Sequence, residues 1–501
     1  MSFILVCSGI ASWSAQIITI DALGAMRISM PGDIHYQLGA SVSGIGDFNG
    51  DGYQDAAIGA PLFEPADIGN EYDTGAVFIL SGIQLVQDRG EINLSDNSFQ
   101  GVSILGRFET QIGQSIDGAG DVNGDSYMDV AIGSASRKAG YLIFGNPNPP
   151  PLISLNDLQH YGVEIAQTGY SVAGAGDYNG DGYADVVFGN PEAEKKSVEQ
   201  ENQEKEYDAC RLTVVFGSQD LDASMDSRIL GKQLLSLRGV LGMRLGEYVC
   251  GNIDVNADGY TEIIAVAPKG GKDLSGRAYL FYGPSTVNEA DYKFAIDHAN
   301  SFVRRAGDVN GDGFPELLVG CGNQSTFILW GGDHLQGTLD LHKINSEWGV
   351  LLTGAPSTFD VGDVNGDGFA DVAVGLPFDS VRDNPHSGRV VILFGTEQWP
   401  ENIDVSRLCS GALSALDYLV IEGTQPFGAF GSSISALRDI QNDGWDDIIV
   451  GAPFQMLPGD IGPESPGAAY VIQGKRIFQS LQTRRSIFLS SEEKKNADSL
   501  K

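Results

Sequence analysis

Short apolar runs recur along the chain, each just behind a short acidic loop. Ala56-Ala57-Ile58, Val130-Ala131-Ile132, Val186-Val187-Phe188 and Ile263-Ile264-Ala265-Val266 open the series. Leu317-Leu318-Val319, Val372-Ala373-Val374 and Ile448-Ile449-Val450 complete it. A continuous run of this length predicts a strand covered on both faces. A second apolar run follows each one and ends at glycine: Gly82, Gly145, Gly217, Gly283, Gly331, Gly395 and Gly474. A less regular strand comes next, such as Ile92-Asn93-Leu94 or Leu152-Ile153-Ser154-Leu155, and a Gly-rich strand such as 41–46 (SVSGIG) leads into each loop.

The loops align without gaps: DFNGDGYQD from Asp47, DVNGDSYMD from Asp121, DYNGDGYAD from Asp177 and DVNADGYTE from Asp254. DVNGDGFPE from Asp308, DVNGDGFAD from Asp363 and DIQNDGWDD from Asp439 follow. Their starts lie 74, 56, 77, 54, 55 and 76 residues apart, which suits one supersecondary unit with loops of variable length. Four short antiparallel strands per repeat cannot bury both faces of their own sheet. Stacking seven such sheets around an axis does so, and the expected fold is an all-β, seven-bladed β-propeller of four-stranded antiparallel blades. Two separate sandwiches leave seven in-phase units unexplained. The expected propeller spans 16–480.

Within a loop, positions one, three and five alternate side-chain oxygens, position seven offers a backbone carbonyl, and position nine closes the cage. The candidate ligands are Asp47, Asn49, Asp51, Tyr53 and Asp55; Asp121, Asn123, Asp125, Tyr127 and Asp129; and Asp177, Asn179, Asp181, Tyr183 and Asp185. Asp254, Asn256, Asp258, Tyr260 and Glu262 form the fourth set, and Asp308, Asn310, Asp312, Phe314 and Glu316 the fifth. The last two sets are Asp363, Asn365, Asp367, Phe369 and Asp371, and Asp439, Gln441, Asp443, Trp445 and Asp447. Hard oxygen donors of this kind, about 6–8 per ion, suit Ca2+ better than Mg2+. Up to seven calcium ions are expected, stabilising the fold. The closing acid at position nine, and flanking strands, distinguish the loop from an EF-hand. Loops one, three and six look complete. Ser126, Glu262, Glu316 and Gln441 alter the other four. The aromatic at position seven reads as a packing residue wedged between blades.

Composition fits this picture. Asp and Glu total 66 against 31 Lys and Arg, a net charge of −35, which argues against nucleic acid and favours cations. Glycine, at 66 of 501 residues, supplies many tight turns. Five scattered cysteines contain no CxxC pair, so neither a disulfide framework nor a zinc site is expected. No apolar run reaches the ~18 residues of a membrane helix, so no transmembrane segment is expected. The six histidines are dispersed without metal-site spacing and read as structural or surface residues, and no catalytic residues stand out.

At this point the chain resembles the FG-GAP repeat family of the integrin alpha-subunit propeller. Phe430-Gly431 with Gly451-Ala452-Pro453, and Leu38-Gly39 with Gly59-Ala60-Pro61, carry the likeness, while the fifth and sixth repeats lack a recognisable Phe-Gly. The resemblance implies calcium loops on one rim and a ligand surface on other loops, as in a stand-alone integrin-alpha-like protein. The expected function is a non-catalytic recognition or adhesion module, extracellular, cell-surface or periplasmic, with a protein or glycan ligand on loops such as 63–74 and 377–387. The alternative is an enzyme or its accessory propeller, like that of a glycosylphosphatidylinositol phospholipase, or a polysaccharide lyase, which a cluster of His, Lys or Arg in the central channel would favour. Residues 1–15 read as a signal peptide or a leftover repeat strand, with the strand preferred. Residues 192–209 read as a solvated insertion, and 481–501 as a polar tail.

Overall fold

The computed structural model describes residues 16–30, 36–65, 73–87, 90–96, 99–192, 210–221, 224–226, 233–238, 242–271, 273–284, 294–322, 324–412, 414–454 and 466–482. Residues 1–15, 193–209 and 483–501 lie outside them, as do the readings made for those segments. The strands form seven separate sheets, the seven blades of a β-propeller. In blade one, Ser41–Gly46 is innermost, followed outward by Asp55–Ala60, Ala76–Leu80 and Gly101–Leu105, all antiparallel. The innermost strands of the other blades begin at Ser115, Ser171, Tyr248, Val303, Ser357 and Ser433.

Alternation along each strand divides the core among the blade interfaces. Ala56 and Ile58 face blade seven, while Ala57 faces blade two and packs with Val130 and Ile132. Seven apolar clusters result, each shared by two neighbouring blades. Side chains such as Ile58, with no exposed surface, each contribute about 1.5–3 kcal/mol by burial.

The blade differs from the expected four-stranded unit in one respect. The less regular strand does not belong to its own blade: Leu152–Ser154 pairs in parallel with Gly101–Leu105, and Glu91–Asn93 with Met26–Ser29. Each repeat thus hands a short edge strand back to the preceding blade, giving six of the seven sheets five strands among the described residues. The true fourth strand is the next segment, Gly101–Leu105 or Gly162–Ala166. Ring closure uses the same parts. Met26–Ser29 pairs antiparallel with Ala468–Ile472 as the fourth strand of blade seven, and Gln16–Thr19 is the parallel edge strand of blade six. Strands far apart in sequence, Met26–Ser29 and Ala468–Ile472, therefore hold the last joint together.

The glycines of the repeat mark where blades meet backbone to backbone. A Cβ at Gly59 would lie 2.0 Å from the carbonyl oxygen of Gly113, the corresponding turn of the next blade, where Gly113 itself has φ +94°. Ser41 reinforces this contact by donating to the Gly113 carbonyl at 2.7 Å.

Candidate metal centres

Each acidic loop joins the innermost strand of a blade to the second, so all seven lie at one end of the axial channel. The loop backbone curls because its own side chains accept its amides. Asp47 accepts from the N–H of Asp51 at 3.0 Å and of Gly52 at 2.9 Å, Asn49 Oδ1 from Asp51 at 2.8 Å, and Asp51 Oδ1 from Tyr53 at 2.9 Å. The first Asp accepts from the sixth-position N–H in every loop, including Ser126, which takes the left-handed φ of 74° that glycine has elsewhere.

The ninth residue sits apart from the others: Asp55, Asp129, Asp185, Glu262, Glu316, Asp371 and Asp447 all have no exposed surface. Asp55 Oδ2 accepts from Phe48 N–H at 2.9 Å, and Oδ1 from Gly82 N–H at 2.6 Å. Asp129 holds Val122 and Gly145, Asp371 holds Val364 and Gly395, and Asp447 holds Ile440 and Gly474 in the same way. The closing acid therefore ties the start of its loop to the glycine that ends the third strand. Glycine is required at that end, because a Cβ at Gly82 would lie 2.3 Å from the Gln54 carbonyl oxygen.

Burial pushes these carboxyls up, with their loop neighbours adding to the effect. Asp55 and Asp185 rise to about 7, Asp129 to about 8 and Glu316 to about 9, despite backbone hydrogen bonds that pull the other way. The donor set, two or three carboxylates with an amide and a carbonyl oxygen, fits a hard divalent cation, which would allow the acids to ionise together. Asp443 Oδ1, buried and without a hydrogen-bond partner among the described residues, points to the same need.

The individual loops differ. The carboxylates of Asp254, Asp258 and Glu262 come within 4.8 Å of one another, as do those of Asp308, Asp312 and Glu316. The Glu-closed loops, classed as altered from sequence, are thus the two in which three carboxylates converge, the longer side chain reaching further into the loop. Loop seven is different again. Lys475 Nζ lies 3.2 Å from Asp443 Oδ2, and Gln441, with its amide nitrogen turned inward, folds back to donate to Asp447 at 2.6 and 3.1 Å.

The position-seven aromatics pack between blades, as expected. A Cβ at Gly50 would lie 2.4 Å from the ring of Tyr127 in the next loop, and Gly124 and Gly366 stand in the same relation to Tyr183 and Trp445. Consecutive loops are also hydrogen-bonded: Met128 N–H donates to the Asp47 carbonyl at 3.1 Å, and Asp446 N–H to that of Asp363 at 2.9 Å.

Sequence reading missed two other groupings. His298 and His342 stack at 3.9 Å beside Asp340, because the handed-over strand Gly337–Asp340 pairs with Phe294–Asp297. Lys343 Nζ already lies 2.7 Å from Asp340 Oδ2 there. Three arginines, Arg304, Arg305 and Arg438, line the axial channel, a cavity of about 520 Å3. No helix among the described residues is long and apolar enough to cross a membrane.

Comparison with known proteins agrees with this architecture. The FG-GAP repeat family matches residues 38–80, 168–197 and 430–472, and the FG-GAP-like repeat family matches 254–319 and 308–374. Integrin alpha pat-2 of Caenorhabditis briggsae is 29% identical over 192 residues, 35% of this chain and 14% of that protein. Integrin alpha-V of Gallus gallus is 28% identical over 237 residues, 44% of this chain and 21% of its own length. Phosphatidylinositol-glycan-specific phospholipase D of Bos taurus is 35% identical over 120 residues, 23% of this chain and 13% of the enzyme. The matched part of the chain thus spans 14% and 21% of these two integrin subunits. The FG-GAP matches and the integrin alpha similarities together support an integrin-alpha-like FG-GAP protein on a seven-bladed β-propeller.

Proposed function

We propose that this propeller is a calcium-stabilised, non-catalytic recognition or adhesion module working outside the cell or at its surface. The observation that carries the reading is the ring of repeated loops, in which burial and neighbouring acids push the closing carboxyls up, so that a divalent cation would favour their ionised form. Calcium would be held by the first, third and fifth side chains, the seventh carbonyl and the ninth acid of each loop, with loop seven the weakest. Millimolar extracellular calcium suits many sites of modest affinity.

The partner surface is placed on the face away from the metal loops. There Phe378 and Phe427, 69% and 51% exposed, flank His386 on two loops of blade six. Exposed aromatic side chains grouped in this way favour a binding surface over plain solvent. A binding screen against glycans and matrix proteins, with and without calcium, tests the reading. Calcium-dependent capture that Phe378→Ala and Phe427→Ala weaken is expected; capture unaffected by chelation would contradict it.

A second reading, the accessory propeller of an enzyme, draws on the similarity to the phospholipase D. For the lyase variant of that reading, the three channel arginines, Arg304, Arg305 and Arg438, are a supporting feature of the kind expected, with no histidine or lysine among the described residues that line the channel. Incubation with glycosylphosphatidylinositol-anchored protein or polyuronate, assayed for cleavage, decides between the two.

A further inference from the structure

The innermost strands mostly carry small residues where they approach one another, the exceptions at this level being an arginine in blade five and Asp360 in blade six. Gly44, Gly118, Gly174 and Gly251 occupy one level of the channel, and a Cβ at Gly174 would lie 2.4 Å from the carbonyl of Gly118. The equivalent position in blade five is Arg305, preceded by Arg304. Blade five thus places two guanidinium groups along the axial channel.

The two arginines are treated differently. Arg305 reaches across the axis to Asp117 of blade two, with Nη1 3.7 Å from Oδ2, and it also feels the charge of Asp360. Its charge is matched. Arg304 lies between two rings, its guanidinium carbon 4.6 Å from the centroid of Phe302 and 4.1 Å from that of Phe359. All its hydrogen bonds among the described residues use Nη1, which donates to Ser357 Oγ at 3.3 Å and to the Thr358 carbonyl at 2.9 Å. No carboxylate among the described residues lies within ion-pair distance of it. Burial without a counter-ion pulls its pKa down to about 10.

Arg304 is half-buried, and its Nε and Nη2 atoms stay open to the channel, so an acidic group entering there would meet a charge that no carboxylate among the described residues matches. The two rings also hold the guanidinium plane fixed, so its Nε–Nη2 edge presents two parallel donors with little entropy left to lose. Tyr248 of blade four, 40% exposed and within electrostatic range of Arg304, stands at the same end of the channel. This is the end away from the metal loops, since the innermost strands run from here towards them.

We propose that the axial channel is a binding site for a single carboxylate, held by the free edge of Arg304 at the mouth opposite the metal loops. The ligand is either a small free acid or an acidic side chain of a partner polypeptide; both present the same planar group. The site is independent of the calcium loops and goes beyond the recognition role proposed above.

Titration of the full chain in calcium-containing buffer tests this, followed by calorimetry or NMR. The probes are propionate, the blocked peptide acetyl-Gly-Glu-Gly-amide and its Gln counterpart. Binding of the Glu peptide but not the Gln peptide is expected. Added affinity for propionate identifies a free acid as sufficient; binding of the peptide alone identifies an acidic side chain. Arg304→Met should weaken binding by about tenfold or more, as loss of a charged hydrogen-bond pair does. Arg438→Ala, which removes a channel arginine paired with Asp446, should leave it unchanged. If Arg304→Met fails to fold, Arg304→Lys, which keeps the charge but loses the two-donor edge, replaces it with the same expected direction. Equal binding of the Glu and Gln peptides, no binding of any probe, or undiminished binding by a folded Arg304 variant would overturn the proposal.

Discussion

Asp55 Oδ1 lies 2.6 Å from the backbone nitrogen of Gly82, so the last acid of the loop is bonded to the end of the third strand. Its other oxygen holds Phe48 N–H at the loop's start. Asp55→Ala strands both buried N–H groups, and a loss of about 2–4 kcal/mol is expected even with metal removed. Asp51→Asn, at an exposed position, should cost little under chelation but weaken calcium binding. Urea denaturation of both variants, with EDTA and with calcium, checks the contrast. Equal losses for the two under EDTA would contradict the role given to Asp55.

The raised carboxyl pKa values set a pH dependence. An unfolded carboxyl titrates near about 4, while Asp55, Asp185 and Asp447 titrate near about 7 and Asp129 near about 8 in the folded, metal-free chain. The folded state therefore binds more protons between these values, and its stability falls as pH rises through them. Under EDTA, the melting temperature should drop from pH 5 to pH 8. Calcium should remove most of that drop, so the stabilisation it gives grows with pH. A melting temperature that rises with pH under EDTA would reverse the sign of the argument.

Loop seven supplies its own cation through Lys475 and turns Gln441 onto Asp447. The double variant Gln441→Asn, Lys475→Gln should bind one more calcium ion than the parent chain. Equilibrium dialysis counts the ions; an unchanged count would show that these two side chains do not govern the site.

The glycine contacts predict two different costs for the same substitution. Gly52 has φ +86° but nothing within 4 Å of a Cβ, so Gly52→Ala should cost about 1–2 kcal/mol of backbone strain. Gly59→Ala drives a Cβ into the Gly113 carbonyl at 2.0 Å and forces two blades apart, which should cost more, about 3 kcal/mol or above. Thermal unfolding of the two variants ranks them.

Much of this was legible in the sequence, because the loop repeats without gaps and its apolar runs mark the second and third strands. The seven blades and the packing role of aromatics such as Tyr127 followed from that period. The fourth strand did not: Gly101–Leu105 alternates buried and half-buried positions but carries no motif of the repeat, while Leu152–Ser154, which looks like part of its own blade, pairs with the previous one. Such parallel pairing has no local signal. For the same reason His298 and His342, 44 residues apart, read as unrelated until the handed-over strand brings them together. The glycine closing each third strand was visible as punctuation, but its reason, the grip of a buried acid, needed the fold. Arg304 and Arg305 were hidden in a segment without a recognisable Phe-Gly, where the repeat pattern is weakest.

The central claim is that the acidic loops bind calcium and thereby hold the propeller together. Calorimetric melting of the full chain at pH 7.5 under EDTA, then after calcium is restored in excess, tests it most directly. The account predicts a large fall in melting temperature on chelation and its recovery with calcium but not with equal magnesium. An identical melting temperature in all three conditions would contradict it.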